Sequence, residues 1–369
     1  MSTFLEERHL TFRAVAQRVA KTLADIDDHQ ARVAVKKMGE AGLLAACVPA
    51  AYGGLRDTVE LRDLVVARAA LGYESPLGDA LFAIQGLGSY PVTIAGSEAQ
   101  RRDLLPRIIA GNLICAFAMT EPEAGSDAGA IATRARQEGD AYVLDGEKCF
   151  ISNAGIADAY VVFARSSDDK HRGLDAFWVE AKSAGLKATP TTLITPHPIG
   201  TVRFDNCRVP ASQRLGKPGD GFSIAMATLD LFRTCVGAAA VGMAARARDE
   251  AIAHVKSRRQ FGRPLADFQA TQMTLADIAT DVATSTLLVL SAAHRVDTSG
   301  PSAIDSSMAK LWATESAFRV VDRALQLHGA RALVSGHILE RLYRDIRALR
   351  IYEGTSEIQK LIIAKALLR

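Results

Sequence analysis

The residue pattern best suited to proton chemistry in this chain is a carboxylate beside a glycine, just ahead of a helix: Tyr352-Glu353-Gly354-Thr355-Ser356-Glu357-Ile358-Gln359. A glycine lets backbone approach a ligand closely, which would place Glu353 as an acid or base against it. Ser356 and Gln359 have the spacing of a capping box for the helix that follows. An acid in such a capping segment also favours the helix dipole while facing solvent, so the segment alone is balanced between the two readings. A second stretch, Phe117-Ala118-Met119-Thr120-Glu121-Pro122-Glu123-Ala124-Gly125-Ser126-Asp127, takes a strand into a loop of Pro, Gly and short oxygen-bearing side chains. Its exposed N–H groups and hydroxyls suit a polar ring edge or a phosphate. A lone loop of this composition is more often an ordinary β-turn.

Elements with three different characters must position these stretches. Residues 1–111 read as an N-terminal all-α domain, with helical spacing from Ala31 to about residue 46, at Glu60–Leu71, and at Glu98–Ile109 ending at Gly111. A helix is also expected over Leu81–Tyr90, where Gln85 reads as a surface residue. Residues 112–215 read as a small antiparallel β-domain. Leu113–Met119, Ala141–Leu144, Tyr160–Ala164, Ala176–Val179 and Thr201–Phe204 are short, β-branched or aromatic, and bounded by turn residues. Residues 216–369 return to helix. Apolar faces through Leu229, Phe232, Val236, Met243 and Ala247, through Leu275, Ile278, Val282 and Val289, and through Met308, Leu311, Phe318, Val321 and Leu325, with a last short helix at Ile358–Lys365, give a four-helix bundle.

Composition narrows the function classes. With 369 residues, several domains are expected. Lys+Arg 44 against Asp+Glu 41 leaves a net charge of +3, which makes no case for nucleic acid. No uninterrupted apolar run is expected to span a membrane. Acidic residues such as Glu6, Glu7, Asp25, Asp27 and Asp28 argue against a targeting leader. The five dispersed cysteines fit neither a disulfide framework nor a zinc site, so a reducing cytoplasm is expected and no metal.

Taken together, the two stretches and the α–β–α layout resemble the acyl-CoA dehydrogenase flavoprotein family across nearly the whole chain. Met119 to Asp127 is similar to that family's first motif. Gln326-Leu327-His328-Gly329, Glu340-Arg341-Leu342-Tyr343-Arg344-Asp345 and Arg350 to Gln359 are similar to its C-terminal motif, and Arg258-Arg259-Gln260-Phe261-Gly262 with Gln269 to a third. The resemblance implies FAD held between the β-domain and the bundle. Met119, Thr120, Phe150 and Ser152 match positions lining its ring, Phe150 standing where the family often has Trp, and Phe117, Gly125 and Ser126 are implied as further FAD-binding residues. Arg258 and Phe261 match positions reaching FAD bound mainly by a neighbouring subunit, which implies a homotetramer built as a dimer of dimers, and Gln269 is implied as a further FAD-binding residue. Gln326, Gly329, Thr355 and Glu357 match further FAD contacts; Ala330 stands where a second Gly is common.

For an acyl-CoA substrate the resemblance implies Ser126, Asp230, Arg233 and Tyr352, although Asp230 and Arg233 also have the spacing of a plain i,i+3 ion pair. It implies Glu353 as the base that takes the thioester α-proton while the β-hydride goes to FAD. The thioester carbonyl would be polarised by the flavin ribityl chain and the Glu353 N–H. Phe232 occupies the alternative base position of some members and cannot serve there. Electrons would pass to an electron-transfer flavoprotein. An acyl-CoA oxidase, an acyl-carrier-protein-linked dehydrogenase and a non-catalytic paralogue are the alternatives. One departure is the shortened loop Thr195-Pro196-His197-Pro198-Ile199-Gly200, expected to be a rigid surface loop with a possible part in shaping the acyl pocket.

Overall fold

The computed structural model describes residues 3–368. N-terminal helices, a middle β-domain and C-terminal helices follow one another along the chain. The helices are α1 Glu7–Lys21, α2 Ala31–Glu40, α3 Leu61–Glu74, α4 Pro76–Ala95, α5 Glu98–Ile109, α6 Gly221–Ser257, α7 Gln269–Ser299, α8 Ala303–His328, α9 Ile338–Ala348 and α10 Ser356–Leu367. The strands are β1 Cys115–Ala118, β2 Arg134–Glu138, β3 Ala141–Ser152, β4 Ala159–Arg165, β5 Leu174–Glu180, β6 Leu186–Pro190, β7 Ile199–Pro210 and β8 Arg214–Leu215, followed by the two-residue pair β9 Arg259–Gln260 and β10 Arg263–Pro264. By contacts the chain forms two units. One holds the residues up to Asp25, Leu61–Asp79 and those from Asp230; the other holds Ile26–Glu60 and Ala80–Leu229.

The second unit is built on a sheet of order β6-β7-β3-β2-β4-β5-β8, with β1 alongside β4. Most pairs are antiparallel, but β1 and β2 run parallel to β4, which the expectation of an antiparallel domain did not include. One face buries Tyr142, Leu144, Tyr160, Val162, Phe177 and Phe204. Register shifts between Leu144 and Gly146 and between Lys148 and Ile151 bulge β3 against β7. At the second, Phe150 takes φ 54° and its side chain is exposed; bulges re-aim side chains. Gln85, expected on the surface, is buried. Its amide donates to Leu113 O (3.0 Å) and accepts from Cys115 N (2.9 Å), so it ties α4 to the start of β1.

In the first unit, α3 and α6 approach closely because Gly242 faces backbone: a Cβ there would lie 2.2 Å from Ala69 O. Asp297 of α7 accepts from Leu61 N (2.7 Å) and Arg62 N (3.0 Å), satisfying free N–H groups at the start of α3. By length and composition alone α6 and α7 pass as membrane-span candidates, unlike the expectation from uninterrupted runs, and two-thirds of the relevant stretch of α6 (67%) is buried inside the protein. The cap of α10 differs from the expected box. Thr355 is the N-cap, accepting from Ile358 N, while Ser356 and Gln359 are used elsewhere.

Candidate active site

The turn carrying Glu353 is locked from several directions, all within the first unit. Glu353 has φ 53° and Gly354 φ 90°. A left-handed glutamate is strained and persists where its surroundings over-determine it. Here Gln359 Nε2 donates to Gly354 O (2.8 Å) and Glu353 O (3.3 Å), and Lys310 Nζ of α8 donates to Gly354 O (2.8 Å). Glu315 closes the base of the turn: its Oε1 accepts from Ser356 Oγ (2.5 Å) and Arg350 Nε (2.8 Å). Ser356 and Gln359 are therefore turn clamps, which is why they do not form a capping box.

Held this way, the Glu353 carboxyl has a buried Oε2 without a hydrogen-bond partner. Burial raises its pKa, and the nearby Arg68, Lys310 and Arg233 only partly offset this. Desolvation disfavours the charged form, so the group is poised to gain a proton. Lys310 is pulled down to about 8 by burial, with the Glu353 charge acting against that. Arg68 is fully buried and paired with Asp79 through two bonds of 2.8 Å. The Glu353 N–H meets no protein acceptor among the described residues, leaving a donor next to the carboxyl. Sequence reading missed Arg68, Asp79 and Lys310, because a charged residue within an apolar helix gives no sign of what it faces.

The β-domain gathers a second set within the second unit. Cys149 N donates to Thr120 O (2.9 Å), which sets Met119 and Thr120 beside the end of β3 with Phe150 and Ser152. The loop after β1 is braced by Lys148, fully buried, which donates to Met119 O (3.1 Å) and Glu121 Oε1 (2.7 Å). Glu121 also accepts from Ala132 N (2.6 Å) and Thr133 N (2.9 Å). Phe150 is 62% exposed, unusual for a large aromatic in such a setting. Ser152 is half-buried, with its Oγ 2.7 Å from His197 Nε2. An exposed aromatic face beside a hydroxyl suits a planar conjugated ring with polar edges, so these residues fit a flavin. Phe117 instead packs on Phe163 (4.8 Å). Gly125 and Ser126 are exposed in the loop.

The other positions divide. Arg258 follows the end of α6, its N–H on His254 O (2.8 Å), and the His254 ring stacks on His328 at 4.0 Å, beside Gly329. Phe261 is 92% exposed within this chain, and Gln269, Gln326 and Glu357 are also exposed. Thr355 serves as a cap. Asp230 and Arg233 form the i,i+3 ion pair (2.5 Å). Tyr352 is partly exposed beside Glu353.

Comparison with known proteins adds a further line of support. Residues 6–112, 116–207 and 219–368 match the N-terminal, middle and C-terminal domain models of acyl-CoA dehydrogenases. A 3-(aryl)acrylate reductase of Clostridium sporogenes is 38% identical over 99% of this chain and 100% of that protein. The butyryl-CoA dehydrogenase of Megasphaera elsdenii superimposes with a TM-score of 0.94 at 31% identity, covering 99% of each chain. A glutaryl-CoA dehydrogenase of Mycobacterium smegmatis, solved with FADH2, does so with a TM-score of 0.93 at 26% identity, covering 100% of this chain and 96% of that one.

Proposed function

This chain belongs to the acyl-CoA dehydrogenase family of FAD-dependent oxidoreductases, and from that premise we propose that it desaturates an acyl-CoA thioester between the α and β carbons with Glu353 as the base. The observation that carries the reading is the buried, unpartnered Oε2 of Glu353 on a clamped left-handed turn. A thioester α-proton is a very weak acid, so its removal needs a carboxylate that is dry, fixed and unsatisfied. Lys310 and Arg68 keep the ionised form accessible despite burial. The free Glu353 N–H is available to polarise the thioester carbonyl as enolate charge develops. FAD, when bound, supplies the acceptor for the β-hydride. Met119, Thr120, Phe150 and Ser152 are the β-domain residues assigned to its ring, with Arg258, Phe261, Gln269, Gln326, Gly329, Thr355 and Glu357 assigned to the remainder. Ser126, Asp230, Arg233 and Tyr352 are assigned to substrate, an electron-transfer flavoprotein to electron transfer, and a homotetramer to the assembly.

The same groups run in reverse would deliver a proton to the α-carbon of an enoyl substrate. The relative named as a 3-(aryl)acrylate reductase favours keeping that direction as a second reading. One experiment separates them. The purified protein is expected to carry about one FAD per chain, as this cofactor chemistry requires. Anaerobic mixing with a panel of saturated acyl-CoA esters is expected to bleach it. Bleaching by none of them, with reoxidation of the reduced protein by an enoyl-CoA or an aryl acrylate, would establish the reductive reading instead. Release of FMN, or of no flavin, would overturn both.

A further inference from the structure

The shortened loop Thr195–Gly200 is not a free surface loop. Asn153 N donates to Pro198 O (2.6 Å), Ile199 sits opposite Ser152 in the β3–β7 register, and the His197 backbone N–H is bonded to the Asp28 carboxyl. His197, fixed between two prolines, thereby places Nε2 2.7 Å from Ser152 Oγ. Burial brings the imidazole down to about 4, so it is neutral at physiological pH. We propose that His197 is a positioning residue that sets which way the Ser152 hydroxyl points toward the bound flavin ring. This rests on the reading above that Ser152 lines that ring.

A serine hydroxyl has one proton and two lone pairs and rotates to suit its partners. An imidazole 2.7 Å away commits one side of it. If Nε2 carries the proton it donates to Oγ, and the serine proton is directed at the other neighbour. If Nε2 is bare it takes the serine proton, and Oγ offers lone pairs instead. The edge of an oxidised flavin offers acceptors, and two-electron reduction adds an N–H donor to it. A neutral imidazole can support either arrangement by its choice of tautomer, whereas an imidazolium can only donate. The relative affinity of the site for the two oxidation states therefore depends on His197, and does so through Ser152.

The test is a double-mutant cycle on the FAD-loaded protein, with His197→Phe, Ser152→Ala and their combination, reading the two-electron flavin potential and the visible spectrum. His197→Phe is expected to change the preference for one oxidation state by about tenfold, ~30 mV for a two-electron couple. In the Ser152→Ala background the same change should have less than about a third of that effect, since coupled sites are non-additive. His197→Gln, which keeps hydrogen-bonding capacity, should recover most of the difference; a space-filling role would not be rescued this way. If His197→Phe fails to retain FAD, His197→Leu, which also lacks a hydrogen-bonding group, takes its place in the cycle. Equal shifts in both backgrounds, or none in either, overturn the proposal. If Ser152→Ala shifts potential and spectrum while the His197 variants do not, only this inference fails. If Ser152→Ala changes neither, the placement of Ser152 on the ring fails with it.

Discussion

Glu121 in the β-domain and Glu353 ahead of α10 are both substantially buried, and each has a buried lysine within its electrostatic reach that is lowered to about 8. Their environments nevertheless push them in opposite directions. Glu121 receives Ala132 N, Thr133 N and Lys148 Nζ, so burial, which pushes its pKa up, is outweighed and the group ends below its ordinary value. Glu353 has an oxygen with no donor, its lysine is spent on the Gly354 carbonyl, and burial wins. A carboxylate whose lone pairs are filled is suited to bracing, and one left unfilled in a dry place is a candidate reagent. The difference lies in the donors: two backbone N–H groups and a lysine reach the Glu121 carboxyl, and none reaches Glu353 Oε2.

The contrast is broken most severely at Glu353. Glu353→Gln keeps shape but cannot accept the α-proton, and is expected to cost at least ~10²–10⁴-fold in anaerobic flavin bleaching by a substrate found in the panel, with FAD retained. Bleaching within about threefold of wild type, far below that range, would remove Glu353 from the base role. At Glu121 the expected damage is to folding. Lys148→Met leaves a buried carboxylate without its cation and is expected to cost about 3–5 kcal/mol. It should lower the thermal midpoint sharply while the surviving folded fraction still bleaches. A stable Lys148→Met protein with a lost bleaching step would mean that the brace takes part in the chemistry.

How much of this was legible beforehand follows from what each residue faces. The strand cores Tyr160–Ala164 and Ala176–Val179 stood out because they are buried and apolar. β2 and β6 did not, because Arg134–Glu138 and Leu186–Pro190 are mostly exposed and carry no apolar alternation. The segment around Glu353 was balanced between a chemical and a helix-capping role in sequence, and only its combination with the other motifs pointed to a base. The electrostatic setting of Glu353 was not legible, because Arg68, Arg233 and Lys310 come from α3, α6 and α8, far apart in the chain. Lys148 in a strand and Gln85 in a helix look like solvent-facing polar residues until the fold buries them. His197 stood out as a departure from the family pattern, but only the β3–β7 register brings it to Ser152.

The last and smallest effect sharpens the comparison by its sign. Glu353 has a folded-state pKa raised above the ordinary value of 4.5. Between those two values the folded protein holds a proton that the unfolded chain has released, so stability falls as pH rises through that window. Glu353→Gln removes this loss, and its thermal midpoint should gain on wild type from about pH 4.5 upward, levelling off once Glu353 is ionised in the folded state. Glu121 is lowered below 4.5, so its contribution is present above that value and lost as pH falls through the folded pKa. Glu121→Gln should therefore trail wild type at neutral pH and close the gap only on acidification. Each slope is bounded by one proton, about 1.4 kcal/mol per pH unit. Differential midpoints of the two variants against wild type, taken from pH 8 down to about pH 3 so that the window below 4.5 is included, should diverge in opposite directions. Parallel curves would mean that the two carboxyls share one kind of environment, and the distinction between brace and reagent would fail.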